Sequence, residues 1–177
     1  KCVPPGNIAS TRILVVKYNA KNIGLAKAPR TTASKRGRSV PQFTLRCIDL
    51  FAGAGGFSLA ALRAGVKVTA AVEINNHACD TYQANIIKQS KNTKLYNSDI
   101  LKLDPQDVRK LHFPPEKPCD IVLGGPPCQG FSTHRINDAG VNDPRNALVL
   151  RYFEFVAELM PKVFLMENVP GILWPRH

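Results

Sequence analysis

Apolar residues along this chain fall into two alternating patterns. From Leu45 onward, short and nearly continuous apolar runs are separated by segments whose apolar residues recur every three or four positions. Short runs bounded by turn-formers read as strands buried on both faces, and the wider spacing reads as amphipathic helix. Five strands are expected, at residues 45–51, 66–74, 93–96, 119–123 and 162–166. Four helical segments lie between them. Residues 57–64 form a short helix closed by Gly65, a residue suited to the left-handed position after a helix. Residues 77–90 follow the capping pair Asn75-Asn76, with Ala78, Tyr82 and Ile86 each four apart. Asp104-Pro105 opens a helix to about Leu111, and Asp143-Pro144-Arg145-Asn146 opens one to about Leu159, stopped by Pro161. Such alternation packs as a parallel, doubly wound α/β sheet. The expected order of these five strands is 3-2-1-4-5, with a ligand crevice at the carboxyl ends of strands one and four.

The first 45 residues do not share this pattern. The chain has a formal net charge of +11, from 24 Lys and Arg against 13 Asp and Glu. Ten of the basic residues and none of the acidic ones lie in residues 1–46, so the remainder is nearly balanced at 14 against 13. Residues 1–45, with Pro4-Pro5-Gly6 and Ser34-Lys35-Arg36-Gly37-Arg38, read as a basic, mostly irregular, flexible leader with a strand at 13–16. Two readings stay open for it: a tail that contacts nucleic-acid phosphates, or a solvated leader belonging to another piece of a longer protein. The first residue is Lys rather than Met, which favours an incomplete or processed sequence. The remainder, 46–177, is long enough for one core. No apolar run approaches the ~20 residues of a membrane span, and no signal peptide opens the chain. The five cysteines, at 2, 47, 79, 119 and 128, are odd in number and not closely paired. That argues against a disulfide framework and against a metal site, and fits a reducing, intracellular compartment (cytoplasm or nucleoid, or nucleus in a eukaryote).

Two stretches carry candidate chemistry. The glycine-rich turn 52–56 leaves the first strand, and Glu73 ends the second about 20 residues on. A glycine turn lets a ligand approach the backbone, and an acid at that spacing suits ribose hydroxyls. The turn lacks a Lys-Ser/Thr pair, so it is not an ATP phosphate loop. Asp99 ends the third strand, where it either faces the ligand crevice or caps a turn. The second stretch is Gly124-Gly125-Pro126-Pro127-Cys128-Gln129-Gly130-Phe131-Ser132. Cys128 sits on the loop leaving the fourth strand, with φ fixed by two prolines on one side and freed by Gly130 on the other. By these residues alone it is either a nucleophile or a small buried hydrophobe. The polar loop 132–144 is long enough to fold over a ligand. Its His134 reads better as a contact to nucleic acid or water than as a base for the thiol, and His77, Cys79 and His112 read as structural.

Pro126-Pro127-Cys128-Gln129 resembles the catalytic motif of the cytosine-5 DNA methyltransferases. In chain order, 49–57 resembles that family's cofactor loop, and Glu73, Asp99, Arg145-Asn146-Ala147-Leu148 and Glu167-Asn168-Val169 resemble its later motifs. The resemblance runs from about Arg46 to the end. It implies a Rossmann-like fold that binds S-adenosylmethionine through Phe51, Gly53, Gly55, Gly56, Glu73, Ile74, Asp99, Ile100, Pro127 and Val169. Asp99 would take the adenine amino group and Ile100 would pack on the ring. It further implies a DNA (cytosine-5-)-methyltransferase of a restriction-modification system, acting on a cytosine flipped out of double-stranded DNA. Carbon 5 of cytosine is a poor nucleophile, and a thiolate adding to carbon 6 turns the ring into an enamine. Cys128, on the loop shaped by Pro127, would supply that thiolate, Glu167 would bind ring nitrogen 3, and Asn168 would orient the thiol loop. No counterpart is found of the family's later arginine motif, its target-recognition region or its closing helix. A fragment or a split subunit needing a second polypeptide is therefore expected. Two alternatives remain: a related enzyme acting on tRNA cytosine, and a non-catalytic S-adenosylmethionine-binding piece.

Overall fold

The computed structural model describes residues 12–17, 45–127 and 147–168. In chain order the elements are β1 (Arg12–Lys17), β2 (Arg46–Leu50), α1 (Gly56–Arg63), β3 (Lys67–Glu73), α2 (Asn76–Tyr82), β4 (Lys94–Asn97), α3 (Pro105–His112), β5 (Ile121–Gly124), α4 (Ala147–Leu159) and β6 (Val163–Asn168). The strands form one six-stranded sheet, ordered β1-β6-β5-β2-β3-β4. The five strands from β2 onward are parallel, in the doubly wound order that the alternation predicts.

The strand expected at 13–16 is present, one residue longer at each end, and it joins this same sheet. It lies antiparallel on β6, with Arg12 opposite Asn168 and Lys17 opposite Val163. Part of the basic leader thus continues the sheet across the boundary drawn at residue 45. The physical reason is the edge of β6, whose free peptide groups need partners, and Ile13-Leu14-Val15-Val16 is an apolar, partly β-branched run suited to supply them.

Other boundaries shift for local reasons. β5 starts at Ile121 because Asp120 turns back to β2: its Oδ2 accepts from the Arg46 amide at 2.8 Å, and its own amide donates to the Arg46 carbonyl at 2.9 Å. β6 runs through Asn168, so Glu167 and Asn168 are strand residues held in the ladder by β1. The helix expected over 77–90 is α-helical to Tyr82 and continues as a wider π turn over Gln83–Ile87. Asn75 and Asp104 cap α2 and α3 by accepting from the amides of Ala78 and Gln106.

Side chains of β2 and β3 alternate between the two sheet faces. Ile48, Leu50, Ala70 and Val72 join Val122, Tyr152, Phe155 and Phe164 in the main core, while Ala71 packs with Tyr82 and Ile86. Burying each large side chain contributes roughly 1.5–3 kcal/mol. Tyr152, fully buried on α4, donates towards the carbonyls of Val122 (3.3 Å) and Leu165 (3.1 Å) and so ties α4 to both β5 and β6. Among the described residues no helix is long and apolar enough to cross a membrane.

If β1 closes the edge of β6, deleting residues 1–17 should speed amide exchange in β6 by about tenfold or more while leaving β3 unchanged. Exchange in β6 that is the same with and without residues 1–17 would contradict the pairing.

Candidate functional site

Two loops leave neighbouring parallel strands at the same edge of the sheet. The first begins after β2. Phe51 adopts φ 59°, and Gly53 and Gly55 follow at 53° and 97°. These left-handed turns fold the loop across the end of β3, where the Ala52 amide donates to the Val72 carbonyl at 3.0 Å. Gly55 is pressed onto the helix behind it. A Cβ there would lie 2.6 Å from Ile86 and 3.0 Å from Tyr82, so a side chain is excluded by space as well as by φ. Gly56 is exposed and begins α1.

Glu73 is the joint between this loop and β3. Its Oε2 accepts from the Gly53 amide and its Oε1 from the Asn75 amide, both at 2.8 Å. Each oxygen keeps a lone pair for another donor. Ile74, beside it, is 63% exposed. The Ser98 amide donates to the Glu73 carbonyl and brings in the turn after β4. There Asp99 caps a short 3-10 turn by accepting from the Leu101 amide at 3.0 Å. Ile100 packs into the main core and is 4% exposed. Phe51, Gly53, Gly55, Gly56, Glu73, Ile74, Asp99 and Ile100 are therefore gathered at the carboxyl ends of β2, β3 and β4.

The second loop leaves β5, which pairs with β2 so that Gly124 lies opposite Leu50. A Cβ on Gly124 would meet the Leu50 carbonyl at 2.6 Å. One residue on, a Cβ at Gly125 would sit 3.0 Å from Glu167 Oε2, so the bare glycine leaves that carboxylate room. Pro126 is buried, and its carbonyl accepts from Asn168 Nδ2 at 3.2 Å; Asn168 itself is 5% exposed. Pro127 is half-buried. The loop is thus tied to β6 up to its last described residue. Cys128 and Val169 lie outside the described residues, as do the 132–144 loop, His134 and Arg145-Asn146.

The three described cysteines are buried free thiols. Burial, then the charge of Asp49, raises the pKa of Cys47; burial, then Glu73, raises that of Cys79. Cys119 is pushed up to about 12, chiefly by burial. In all three, burial disfavours the thiolate. Among the described residues no group of three or more His, Cys, Asp or Glu is placed to hold a metal ion. An open surface cleft lies away from the crevice, lined by residues such as Asp80, Gln83, Ile87, Lys88 and Lys94.

Sequence reasoning missed a buried polar network under the glycine loop. Asp49, wholly buried in β2, accepts at Oδ2 from the Ser58 amide (3.0 Å) and the Ser58 hydroxyl (2.6 Å), and that hydroxyl lies 2.7 Å from the Tyr82 hydroxyl. Ser58 is in the first turn of α1, so the carboxylate sits beneath the positive end of that helix. Among the described residues, Oδ1 of Asp49 has no hydrogen-bond partner. Burial raises the Asp49 pKa to about 6, against the lowering effect of the two Ser58 bonds and with a smaller raising contribution from Glu73. The available signal was an acid inside the apolar run Cys47-Ile48-Asp49-Leu50-Phe51, since a buried carboxyl requires partners.

Comparison with known proteins settles the family. The model of the C-5 cytosine-specific DNA methylases matches residues 45–177. The chain belongs to this family. The type II methyltransferase M1.HphI of Haemophilus parahaemolyticus is 42% identical over 71% of this chain and 32% of its own length. M.AquIA of Picosynechococcus is 36% identical over 72% of this chain and 50% of its own length. A solved E. coli structure, assigned as a DNA modification methyltransferase encoded within a prophage, superposes with a TM-score of 0.60 at 40% identity. It covers 74% of this chain and 34% of that one. The chain thus spans roughly a third to a half of the length of these relatives.

The Asp49 carboxyl makes a pH prediction for this methylase sheet. Its folded pKa lies above the ordinary carboxylate value, so its contribution to stability is fully present below about pH 4 and is lost as pH rises through about 6. Asp49→Asn should therefore be more stable than the parent at pH 8, on the order of 2 kcal/mol, with the difference vanishing near pH 4. Thermal unfolding of both proteins between pH 4 and 8 checks this; parallel pH profiles would contradict it.

Proposed function

We propose that this chain carries the S-adenosylmethionine-binding and catalytic half of a type II DNA cytosine-5 methyltransferase. The observation that carries this reading is the juxtaposition of the two loops. The glycine loop fastened to Glu73 and the proline loop fastened to Asn168 leave adjacent strands side by side.

The residues present fit the cofactor. Among the described residues, no atom outside Gly53 and its chain neighbours lies within 4 Å of the place a Cβ would take, which leaves open space beside the backbone next to the Glu73 carboxylate. A carboxylate with a free lone pair on each oxygen suits a pair of ribose hydroxyls, and the acids Glu73 and Asp99 along this edge suit a sulfonium cation. Phe51, Gly53, Gly55, Gly56, Glu73, Ile74, Asp99 and Ile100 would hold it, with Pro127 and Val169 on the thiol side. Bound there, S-adenosylmethionine supplies the methyl group that carbon 5 takes up.

The chain's own residues would do the rest. The Cys128 thiolate forms a bond to carbon 6 of a cytosine flipped out of the duplex, and the ring π electrons shift towards carbon 5 and nitrogen 3. The Glu167 carboxyl group binds nitrogen 3 and stabilises the charge developing there. Gly125 leaves room for that carboxyl, and Asn168 holds the peptide two residues before the thiol. After carbon 5 is methylated it loses its proton to a base, the 5,6 double bond re-forms, and the carbon 6–sulfur bond breaks to release the thiolate. Target choice is proposed to rest with a second polypeptide or with protein beyond this stretch. A DNA substrate places the site of action inside the cell.

Two measurements test this. In calorimetry with the 177-residue chain, Glu73→Ala should bind S-adenosylmethionine about tenfold or more weakly than the parent, since a charged acceptor is lost; equal affinity would remove the cofactor assignment. With the complementing protein supplied, duplex DNA bearing 5-fluorocytosine should become covalently attached at Cys128, because fluorine cannot leave as a proton does. Cys128→Ser should abolish the adduct, and Glu167→Gln should slow it by about 10²-fold. Trapping of a tRNA arm instead of duplex DNA would favour the RNA reading, and an adduct on any other residue would contradict the mechanism.

A further inference from the structure

Arg151 lies on α4, one turn into the described part of the helix, and its side chain is 19% exposed. Its guanidinium does not face the solvent side of the helix. Nε donates to the Ile100 carbonyl at 3.2 Å, and Nη2 donates to the Leu103 carbonyl at 2.5 Å, with a longer contact of 3.5 Å to that of Leu101. Glu154 pairs with Nη1, and the guanidinium stacks over the Phe155 ring at 5.8 Å. One side chain thus gathers three carbonyls of the 3-10 turn Ile100–Lys102 and the residue after it. The opposite end of the same turn is held by Asp99, whose Oδ1 accepts from the Leu101 amide. The turn is clamped from both ends: amide by carboxylate, carbonyls by guanidinium.

We propose that Arg151 is a positioning residue for cofactor recognition, fixing through this turn the orientation in which Asp99 meets the 6-amino group of the adenine. The proposal rests on the reading of Asp99 and Ile100 as the adenine contacts. It goes beyond that reading by placing part of the adenine specificity on α4, a helix that meets the turn through Arg151. Arginine suits the task because its planar fork presents donors in several fixed directions, whereas a lysine ammonium is a single compact centre on a flexible stem. Without the guanidinium, the Leu103 carbonyl loses this partner, the Ile100 carbonyl keeps the Leu103 amide at 3.2 Å, and the turn can rotate away from the pose that aims Asp99.

The test uses the 177-residue chain, S-adenosylhomocysteine, and its analogue lacking the 6-amino group. The parent should bind the amino compound about tenfold more tightly than the analogue, the value of one hydrogen bond to a charged acceptor. Arg151→Met should lose about that tenfold for S-adenosylhomocysteine while binding the analogue within about twofold of the parent. Arg151→Lys, which keeps the charge and the stem, should fold and fall between the two. In an Asp99→Ala background, Arg151→Met should add less than about twofold, because the two residues act on one contact. A general loosening of the fold would weaken both ligands alike, and that result, or no change for either, overturns the proposal. So does a full Arg151→Met effect in the Asp99→Ala background. A parent chain that does not distinguish the two ligands overturns the adenine reading itself, and with it the proposal, before any variant is made.

Discussion

The structure depends on one pairing, the parallel register of β2 with β5 that sets Leu50 opposite Gly124. Parallel neighbours end at the same edge, so the loop after Leu50 and the loop after Gly124 emerge together. The pairing is close enough that Gly124 can carry no side chain against the Leu50 carbonyl, and Tyr152 fills the space beneath. A sheet with these two strands apart would separate the glycine loop from the proline loop. The crossovers, α1 and α2 on one face and α3 and α4 on the other, serve to return each strand in the same direction.

At that edge the chain uses carboxylates as anchors for its own backbone. Asp49 holds the first turn of α1 through the Ser58 amide, Glu73 holds the glycine loop through Gly53, and Asp99 holds the turn after β4 through Leu101. Each anchor makes a charge-assisted bond to an amide, stronger than a neutral one. The loops are thereby shaped before any ligand arrives, which lowers the ordering cost of binding. On the other side of the crevice the roles reverse: Asn168 donates to a carbonyl of the proline loop, and the proline loop yields space to Glu167. Asp49 differs from the others in being wholly buried, and that burial raises its pKa.

Much of this was legible in the residues. Apolar runs such as Val68–Val72, bounded by glycines and polar turns, announce strands buried on both faces, and alternation with helices leaves few ways to order them. The glycine turn and Glu73 some 20 residues on stand out as a pair, and the structure joins them at the carboxyl edge through the Gly53 amide. What escaped depends on contacts between distant segments. Nothing in Arg12–Lys17 states that it pairs with β6 and holds Glu167 and Asn168 in a ladder. The π turn over Gln83–Ile87 shares its apolar spacing with an ordinary helix, and only the pressure of Tyr82 and Ile86 on Gly55 shows what that surface packs against. Arg151 reads as one more charge on a helix until its fork is seen on the carbonyls of residues 100–103, about 50 positions away.

The central claim is that the carboxyl edge of β2, β3 and β4 is where this methylase chain takes its cofactor. Amide hydrogen exchange across the whole chain, with and without saturating S-adenosylhomocysteine, tests it most directly. The account predicts slowed exchange at Gly53, Asn75 and Leu101, the amides that close on Glu73 and Asp99, with the cleft of Gln83, Ile87 and Lys94 unaffected. Protection confined to that cleft, or an edge whose exchange does not respond to the ligand, would contradict it.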